Sequence, residues 1–333
     1  MQSELSIRLN DEGYKNWIKA GFCLQKIRDC LMGFVNTEME QFHQFLLRTN
    51  SFLQQEVCKN FCRPQRTQFQ RACSLCQEWK REILNHHANQ NSVIYWGNCS
   101  PPLWPKHAWE VAKVYMPHGQ ANKRGPEKCD AAALLNLINS CDQFDFVERH
   151  KVIEIIKCRN DLMHSVEMSV SAEWLDNYRQ KILVFLEEFQ HIPEAKAVNK
   201  MIQEIASSDW QVQMTGTETV DAALKFTDEE INADKIFNVE LELIREWVQE
   251  MCFTVEEQEA LHTQHLNGLN TFKEFLKQNK ELESMLHKEI QQLYTLEKKL
   301  KNAMGFVKDK DGEEWNLEEK EANATLEHEV KIQ

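Results

Sequence analysis

Residues 147–164 of the 333-residue chain read VERHKVIEIIKCRNDLMH, and the helical pattern in this stretch recurs along most of the sequence. Four branched apolar residues give the stretch one apolar side at helical spacing: Val152, Ile153, Ile155 and Ile156. The spacing predicts a helix from Val147 to Met163 that packs into a core. Its last turns are polar and carry an arginine and a histidine.

Apolar residues recur every three or four positions in several other stretches. They predict helices over 14–47 (with a break around Asn36), 78–86, 109–116, 131–138, 172–189 and 195–205. No stretch alternates convincingly as a strand does. The 10 glycines and 7 prolines are few for a fold rich in tight turns. The fold class predicted is therefore all-α.

The predicted helices fall into two groups separated by a polar, threonine-rich segment. We expect a helical domain with an irregular insert rich in cysteine and tryptophan, then a linker, a second helical region and a disordered acidic tail. Their respective bounds are 1–206 (insert about 56–126), 207–225, 226–304 and 305–333.

The second helical region carries two capping-box patterns, at residues 227–230 and 254–257, which predict two helix starts. After the second, two heptad rows follow, Phe275, Leu282 and Leu296 in one and Phe272, Leu286, Leu293 and Leu300 in the other. Such rows favour a coiled coil of about four heptads that binds a protein partner. The alternative is a helical hairpin packed against the core.

The charge and hydropathy patterns exclude several classes of protein. A net charge of −13 argues against nucleic-acid binding over the whole surface, but residues 59–81 contain six basic side chains and one acid. No run of about 18 apolar residues and no signal peptide is present, so we expect no membrane span and an intracellular, cytoplasmic protein, with nuclear entry left open. No Walker loop, Gly-x-Gly-x-x-Gly, Gly-x-Ser-x-Gly or His-Glu-x-x-His pattern occurs in the sequence.

Arg159 and His164 form a pair of side chains suited to phosphate-ester chemistry without a metal. An arginine holds phosphate oxygens through its planar fork, and a histidine moves protons near neutral pH. Residues five apart on a continuous helix point about 140° away from each other. Sharing one phosphate therefore requires the helix to end near Asp161, or a second copy to complete the site. The other reading is an ordinary polar helix end.

Four cysteines form two closely spaced pairs in a basic, irregular segment: Cys58, Cys62, Cys73 and Cys76. Paired thiolates suit tetrahedral zinc, because each pair closes a short loop around one edge of the tetrahedron. The pattern favours a structural zinc site, for which His86, His87 and Cys99 are substitute ligands. The alternative is a set of buried free thiols, as in many proteins without disulfides.

The same segment carries the candidate RNA-binding residues, which are Arg63, Arg66, Arg71, Lys80 and Arg81. Three tryptophans lie in or near it: Trp79, Trp96 and Trp104. Basic and aromatic side chains together are typical of surfaces that bind single-stranded RNA. The competing interpretation is that the tryptophans pack the loops onto helices.

The helical setting and the RNDLMH run resemble the Arg-x4–6-His motif of the HEPN superfamily of all-α domains. The wider chain is similar to a vertebrate family of uncharacterised proteins named after an open reading frame on the human X chromosome. The stretches that carry this second resemblance are YKNWIKAG (14–21), EWKREIL (78–84), WGNC (96–99), WEVAK (109–113) and LNLINSCD (135–142).

The HEPN resemblance implies a metal-independent endoribonuclease that acts as a homodimer and needs no cofactor for its chemistry. Arg159 would bind the scissile phosphate, His164 would shuttle a proton, and Asn160 would orient the site. Other HEPN domains are non-catalytic RNA-binding or interaction modules. Two hypotheses follow: RNA binding or cleavage, and an interaction scaffold that dimerises through the HEPN-like domain and binds a partner through the coiled coil.

Overall fold

The structure is a computed structural model that describes residues 4–54, 58, 60, 62–89, 91–165, 167–209, 213–215, 219–221, 224–225, 230–231, 233–257 and 262–303. Its helices confirm the all-α fold class. They are α1 (Glu4–Asn10), α2 (Glu12–Thr49), α3 (Ser74–Asn85), α4 (Ala108–Ala112), α5 (Ala131–Ser140), α6 (Arg149–His164), α7 (Ala172–Leu186), α8 (Pro193–Ser207), α9 (Ala233–Glu257), α10 (His262–Gln278), α11 (Lys280–Met285) and α12 (His287–Ala303).

Two short antiparallel hairpins lie between α8 and α9. They pair β1 (Gln213–Thr215) with β2 (Thr219–Asp221), and β3 (Leu224–Lys225) with β4 (Glu230–Ile231). Strands of two or three residues are too short to show an alternating pattern, which is why the sequence did not indicate them. The predicted tail, 305–333, and most of the first capping box, 227–230, lie outside the described residues.

The central element is α2, which begins where the Asp11 carboxylate accepts a hydrogen bond from the Tyr14 N–H. It packs against α4, α5, α7, α8 and α9. The break predicted around Asn36 is wrong, because α2 continues to Thr49. Val35 and Met39, four positions apart, are both fully buried and carry the same apolar face across Asn36.

The motif helix α6 packs between α5 and α7. Two ion pairs show that α6 and the chain from α7 to residue 188 run antiparallel. Lys151 contacts Glu188, and Glu154, further along α6, lies 2.9 Å from Lys181, which comes earlier in the chain than Glu188. The helix continues through His164, so the end near Asp161 that a shared Arg–His site required is not present.

The insert is anchored by its tryptophans. Trp79 and Trp104 are fully buried, and Trp96 is almost so. The rings of Trp79 and Trp96 lie 6.5 and 6.4 Å from that of Trp104, measured between centroids. All three therefore pack the insert onto the helices, and none offers an exposed face for stacking with a base.

The last four helices pack on the rest of the chain and on one another. The helix α9 contacts α2 and α6, and α12 returns along α9. The second capping box does not start a helix, because α9 runs through Thr254 to Glu257. The predicted continuous helix over four heptads is divided at Asn279 and Leu286 into α10, α11 and α12.

The heptad rows form the interior of this helical group. Six of their seven residues are buried, namely Phe272, Leu282, Leu286, Leu293, Leu296 and Leu300. The arrangement matches the alternative expectation of helices packed against the core. The division of the chain at residue 206 stays a prediction.

A buried polar network joins the first two helices to α9 and α11. The Arg8 guanidinium donates to Glu240 of α9 at 2.7 Å and to Glu281 of α11 at 2.7 Å. The Tyr14 hydroxyl donates to the same Glu240 carboxylate at 2.5 Å. Glu240 is fully buried, so these charge-assisted hydrogen bonds are what makes its burial tolerable.

None of the helices in the described part of the chain is long and apolar enough to span a bilayer.

Candidate functional site

The four predicted cysteines come together at the base of the insert. The sulfur atoms of Cys58, Cys62, Cys73 and Cys76 all lie within 4.8 Å of one another. Cys73 is the N-cap residue of α3, and its N–H points to the Cys62 sulfur at 3.2 Å. The first turn of α3 thus supplies one pair of thiols, and the preceding loop supplies the other.

The donor set fits a tetrahedral metal site. With zinc–sulfur bonds of about 2.3 Å, the sulfurs at two corners of a tetrahedron are roughly 3.8 Å apart. The Cys58 and Cys73 sulfurs lie 3.7 Å apart. Burial works against ionisation of Cys58, but hydrogen bonds from Cys62, Asn60 and Cys76 lower the pKa of its thiol to about 7. Burial and the neighbouring thiols raise the pKa of Cys62 and of Cys76. A thiolate is the form that binds zinc.

The three substitute ligands lie outside the four-sulfur group and make other contacts. The Nδ1 atom of His86 lies 2.8 Å from Asp142, and that of His87 accepts the Asn89 N–H at 3.2 Å. The Cys99 thiol donates to the Trp96 carbonyl at 3.1 Å. Within the described residues, the four-cysteine group is the one cluster with metal-ligand spacing.

Between the cysteine pairs lies a closed loop, residues 63–72, which we call the arginine loop. Its tip is a tight turn in which Gln65 and Gln68 exchange backbone hydrogen bonds at 2.7–2.8 Å. The Gly97 N–H donates to the Arg66 carbonyl at 2.7 Å and fixes the tip. A Cβ at Gly97 would lie 3.1 Å from the Arg66 nitrogen, so this close approach favours glycine.

Three of the five candidate RNA-binding residues are exposed on the arginine loop: Arg63, Arg66 and Arg71. No acid occurs in the sequence from residue 63 to residue 77. The other two lie on α3. The Lys80 ammonium donates to the Phe69 carbonyl at 3.0 Å and lies over the Trp96 ring, while Arg81 is ion-paired with Glu78 and Glu82.

Arg159 of the motif is buried beneath α9. Its guanidinium contacts Glu250 at 2.8 Å and Glu246 at 3.7 Å. Burial, with the nearby Asp130 carboxylate, raises the pKa of Glu246 to about 7 although Arg159 opposes the shift. Among the described atoms, neither Arg159 Nε nor Glu246 Oε2 has a hydrogen-bond partner.

The structure brings Asn160 to Arg159 but leaves His164 apart. The Asn160 Oδ1 lies 3.4 Å from the Arg159 guanidinium. His164 is exposed at the end of the same helix, about 140° around it from Arg159. Within one chain, these side chains do not form a site that could hold a phosphate and protonate its leaving group.

The acidic partners of Arg159 were not foreseen from the sequence. A signal was present, because Glu242, Glu246 and Glu250 recur every four residues and so line one side of α9. That row predicts an acidic stripe, which is usually solvated. Only the packing of α9 on α6 identifies it as the counter-charge for the motif arginine.

The fold and the cysteine cluster define an all-α protein with a thiol-rich insert. The chain belongs to the family described as "Domain of unknown function (DUF4559)", which it matches over residues 8–311. It is similar to the mouse protein described as "Uncharacterized protein CXorf38 homolog". The two are 46% identical over 297 residues, covering 88% of this chain and 92% of the mouse protein. No solved structure matches the chain.

Proposed function

We propose that this protein binds single-stranded RNA through the arginine loop, without cleaving it, and that a structural zinc ion on the four cysteines holds the loop. The observation that carries the proposal is that four clustered thiols close the arginine loop, which carries three exposed arginines and no acid. In a chain of net charge −13, such a loop is a local site for a phosphate backbone.

Zinc would fix the conformation of the arginine loop and would take no part in a reaction. Apparent binding energies of structural zinc are about 10–16 kcal/mol, enough to fix a segment that has little core of its own. The arginines would then meet the phosphates without first losing the conformational freedom of an open loop. The four thiolates leave no open coordination position for a substrate.

RNA binding is tested by fluorescence anisotropy with a labelled single-stranded oligonucleotide over a range of salt concentrations. Three phosphate contacts predict a slope of log affinity against log salt of about −2. Replacing Arg63, Arg66 and Arg71 with Gln should reduce the magnitude of the slope by about 2. The matched control replaces the exposed Lys298, Lys299 and Lys301 with Gln, which removes the same charge from α12. Equal affinities for the two triple variants would contradict the proposal.

Zinc binding is tested by metal analysis of protein purified without chelators. One zinc per chain is expected, and Cys76→Ser should lower that occupancy and weaken RNA binding together. The control is Cys30→Ser, because Cys30 lies on α2 outside the cluster. Metal-free protein that keeps full RNA affinity would remove zinc from the proposal.

The second candidate is the metal-independent ribonuclease that the HEPN resemblance implies, acting as a homodimer. Exposed His164 and the contact between Asn160 and Arg159 favour it. It requires Arg159 to leave Glu250 or a second copy to supply another arginine. Cleavage of single-stranded RNA in EDTA by wild type, lost in His164→Ala, would establish it. Light scattering would give the oligomeric state.

The interaction scaffold remains the outcome expected if no RNA is bound or cleaved. Its original argument was a free coiled-coil seam, and most of the heptad residues are buried within the chain. A protein partner would therefore have to bind elsewhere on the surface. Salt-insensitive, RNA-independent complexes in pull-down experiments with the full chain would support this function.

A further inference from the structure

A second feature of the insert lies outside the arginine loop. A groove of about 1330 Å³ runs between the second half of α2 and residues 103–110, and it is open to solvent. Sites for single small molecules are typically about 300–1,000 Å³. The groove therefore has room for a segment of a polymer.

The groove is lined by three exposed cations. Arg48, Lys106 and Arg124 are all exposed there. No ion pair or hydrogen bond links any of the three side chains to another described residue. Of the two acids in the lining, Glu110 is ion-paired with Lys113, whereas Glu40, among the described residues, accepts a hydrogen bond only from the neutral Asn36 amide and keeps its charge. Three cations therefore stand against one uncompensated carboxylate. The groove is thus positive on a protein that is acidic as a whole.

One wall of the groove also offers an exposed aromatic ring. Phe45 is 47% exposed, although it projects from the helix that forms the centre of the fold. Its ring is held edge-on by His86, with centroids 5.9 Å apart, and His86 is itself fixed by Asp142 at 2.8 Å. A supported ring beside unpaired cations is the combination that binds single-stranded nucleic acid, by stacking and by phosphate contacts.

The groove and the arginine loop are joined through one buried residue, Trp104. The Trp104 ring packs on Phe69 of the arginine loop, with centroids 5.9 Å apart. The Trp104 carbonyl is hydrogen-bonded to His43 of the groove at 2.7 Å. Because Trp104 is fully buried, it holds the two surfaces in a fixed relation.

We infer that the groove is a second binding site for single-stranded RNA, in which Phe45 stacks on a base and Arg48, Lys106 and Arg124 hold the adjoining phosphates. This inference rests on the proposed RNA-binding function and extends it beyond the arginine loop. A polyglutamate peptide would satisfy the cations but has no ring or apolar side chain to pack on Phe45. The combination therefore favours RNA.

The test compares single-stranded RNA with inorganic polyphosphate, which has the charges of a backbone and no bases. Stacking contributes about 1–3 kcal/mol per base, so Phe45→Ala should weaken RNA binding about 5- to 150-fold. Its affinity for polyphosphate should not change. Phe146→Ala, which removes another ring that is 52% exposed, is the control and should leave both affinities unchanged.

Charge variants separate this inference from the function on which it rests. The groove variant replaces Arg48, Lys106 and Arg124 with Gln. It should bind both RNA and polyphosphate more weakly than wild type, and so should the arginine-loop variant. Loss of RNA binding only in the arginine-loop variant would overturn the inference that the groove binds RNA, and the proposed function would stand. Loss of RNA binding only in the groove variant would support RNA binding by the groove and refute RNA binding by the arginine loop. A groove that binds a glutamate-rich peptide more tightly than RNA would also overturn the inference.

Discussion

Replacing Arg159 with Met tests whether the motif arginine is a structural cation or a free ligand for phosphate. Methionine keeps much of the apolar stem and removes the charge. The Arg159 side chain is 6% exposed, while Glu246 and Glu250 are 24% and 28% exposed. Removing one partner of a buried ion pair costs about 3–5 kcal/mol. Because the two carboxylates keep about a quarter of their exposure, we expect the lower end, about 3 kcal/mol.

Urea denaturation followed by circular dichroism measures this loss. With a slope of about 3 kcal/mol per molar urea, the midpoint should fall by roughly 1 M. The control is Arg179→Met, which breaks a half-exposed pair with Asp176 and should cost less than about 1 kcal/mol. Adding Glu250→Gln to Arg159→Met should restore part of the stability, as one carboxylate is then neutral.

The reasoning would be refuted if Arg159→Met cost no more than Arg179→Met. The motif arginine would then not be held by α9 and would be free to bind a phosphate. The same result would raise the standing of the ribonuclease hypothesis.

Two further predictions concern α9. Burial raises the pKa of Glu246 from 4.5 to about 7, so the folded state binds this proton more tightly than the unfolded state. The free energy of unfolding should therefore fall as the pH rises from about 4.5 to about 7. Glu246→Gln should flatten this decline in urea titrations between about pH 5 and 8, and an unchanged pH profile would contradict the prediction. A Cβ at Gly21 would lie 2.3 Å from the Leu243 side chain, so Gly21→Ala should lower the free energy of unfolding by about 1–3 kcal/mol. At Gly33 on the same helix nothing lies within 4 Å, so Gly33→Ala should raise it by up to about 1 kcal/mol, and a thermal melt that ranked the two variants the other way would refute the packing argument.

Periodicity was sufficient to predict most of the helices, because each helix of the core buries one face. It failed where a local pattern admits two outcomes. The polar residues around Asn36 resembled a break, but α2 passes through them since Val35 and Met39 remain in the core. The Thr254 pattern had the sequence of a helix start and lies near the end of α9. Tertiary packing decided both cases.

The candidate sites divide in the same way. The spacing of the four cysteines was enough to group them, because short loops bring paired thiols together whatever the rest of the fold does. Arg159 was harder to interpret. Its environment is set by Glu246 and Glu250, about 90 residues further along the chain, and no local pattern connects them. The groove at Phe45 was likewise invisible, because α2 and residues 103–110 approach each other only in the folded state.

The pairing of Arg8 with Glu240 has a consequence for how the protein is made. The two residues are 232 positions apart in the chain. At about 5–20 residues per second, a ribosome needs roughly 10–50 s to synthesise the segment between them. Throughout that time Arg8, Tyr14 and the face of α2 that meets α9 have no partner. The nascent chain therefore exposes, for most of its synthesis, a face of α2 that is buried in the folded protein. We expect the chain to depend on chaperones that bind near the ribosomal exit.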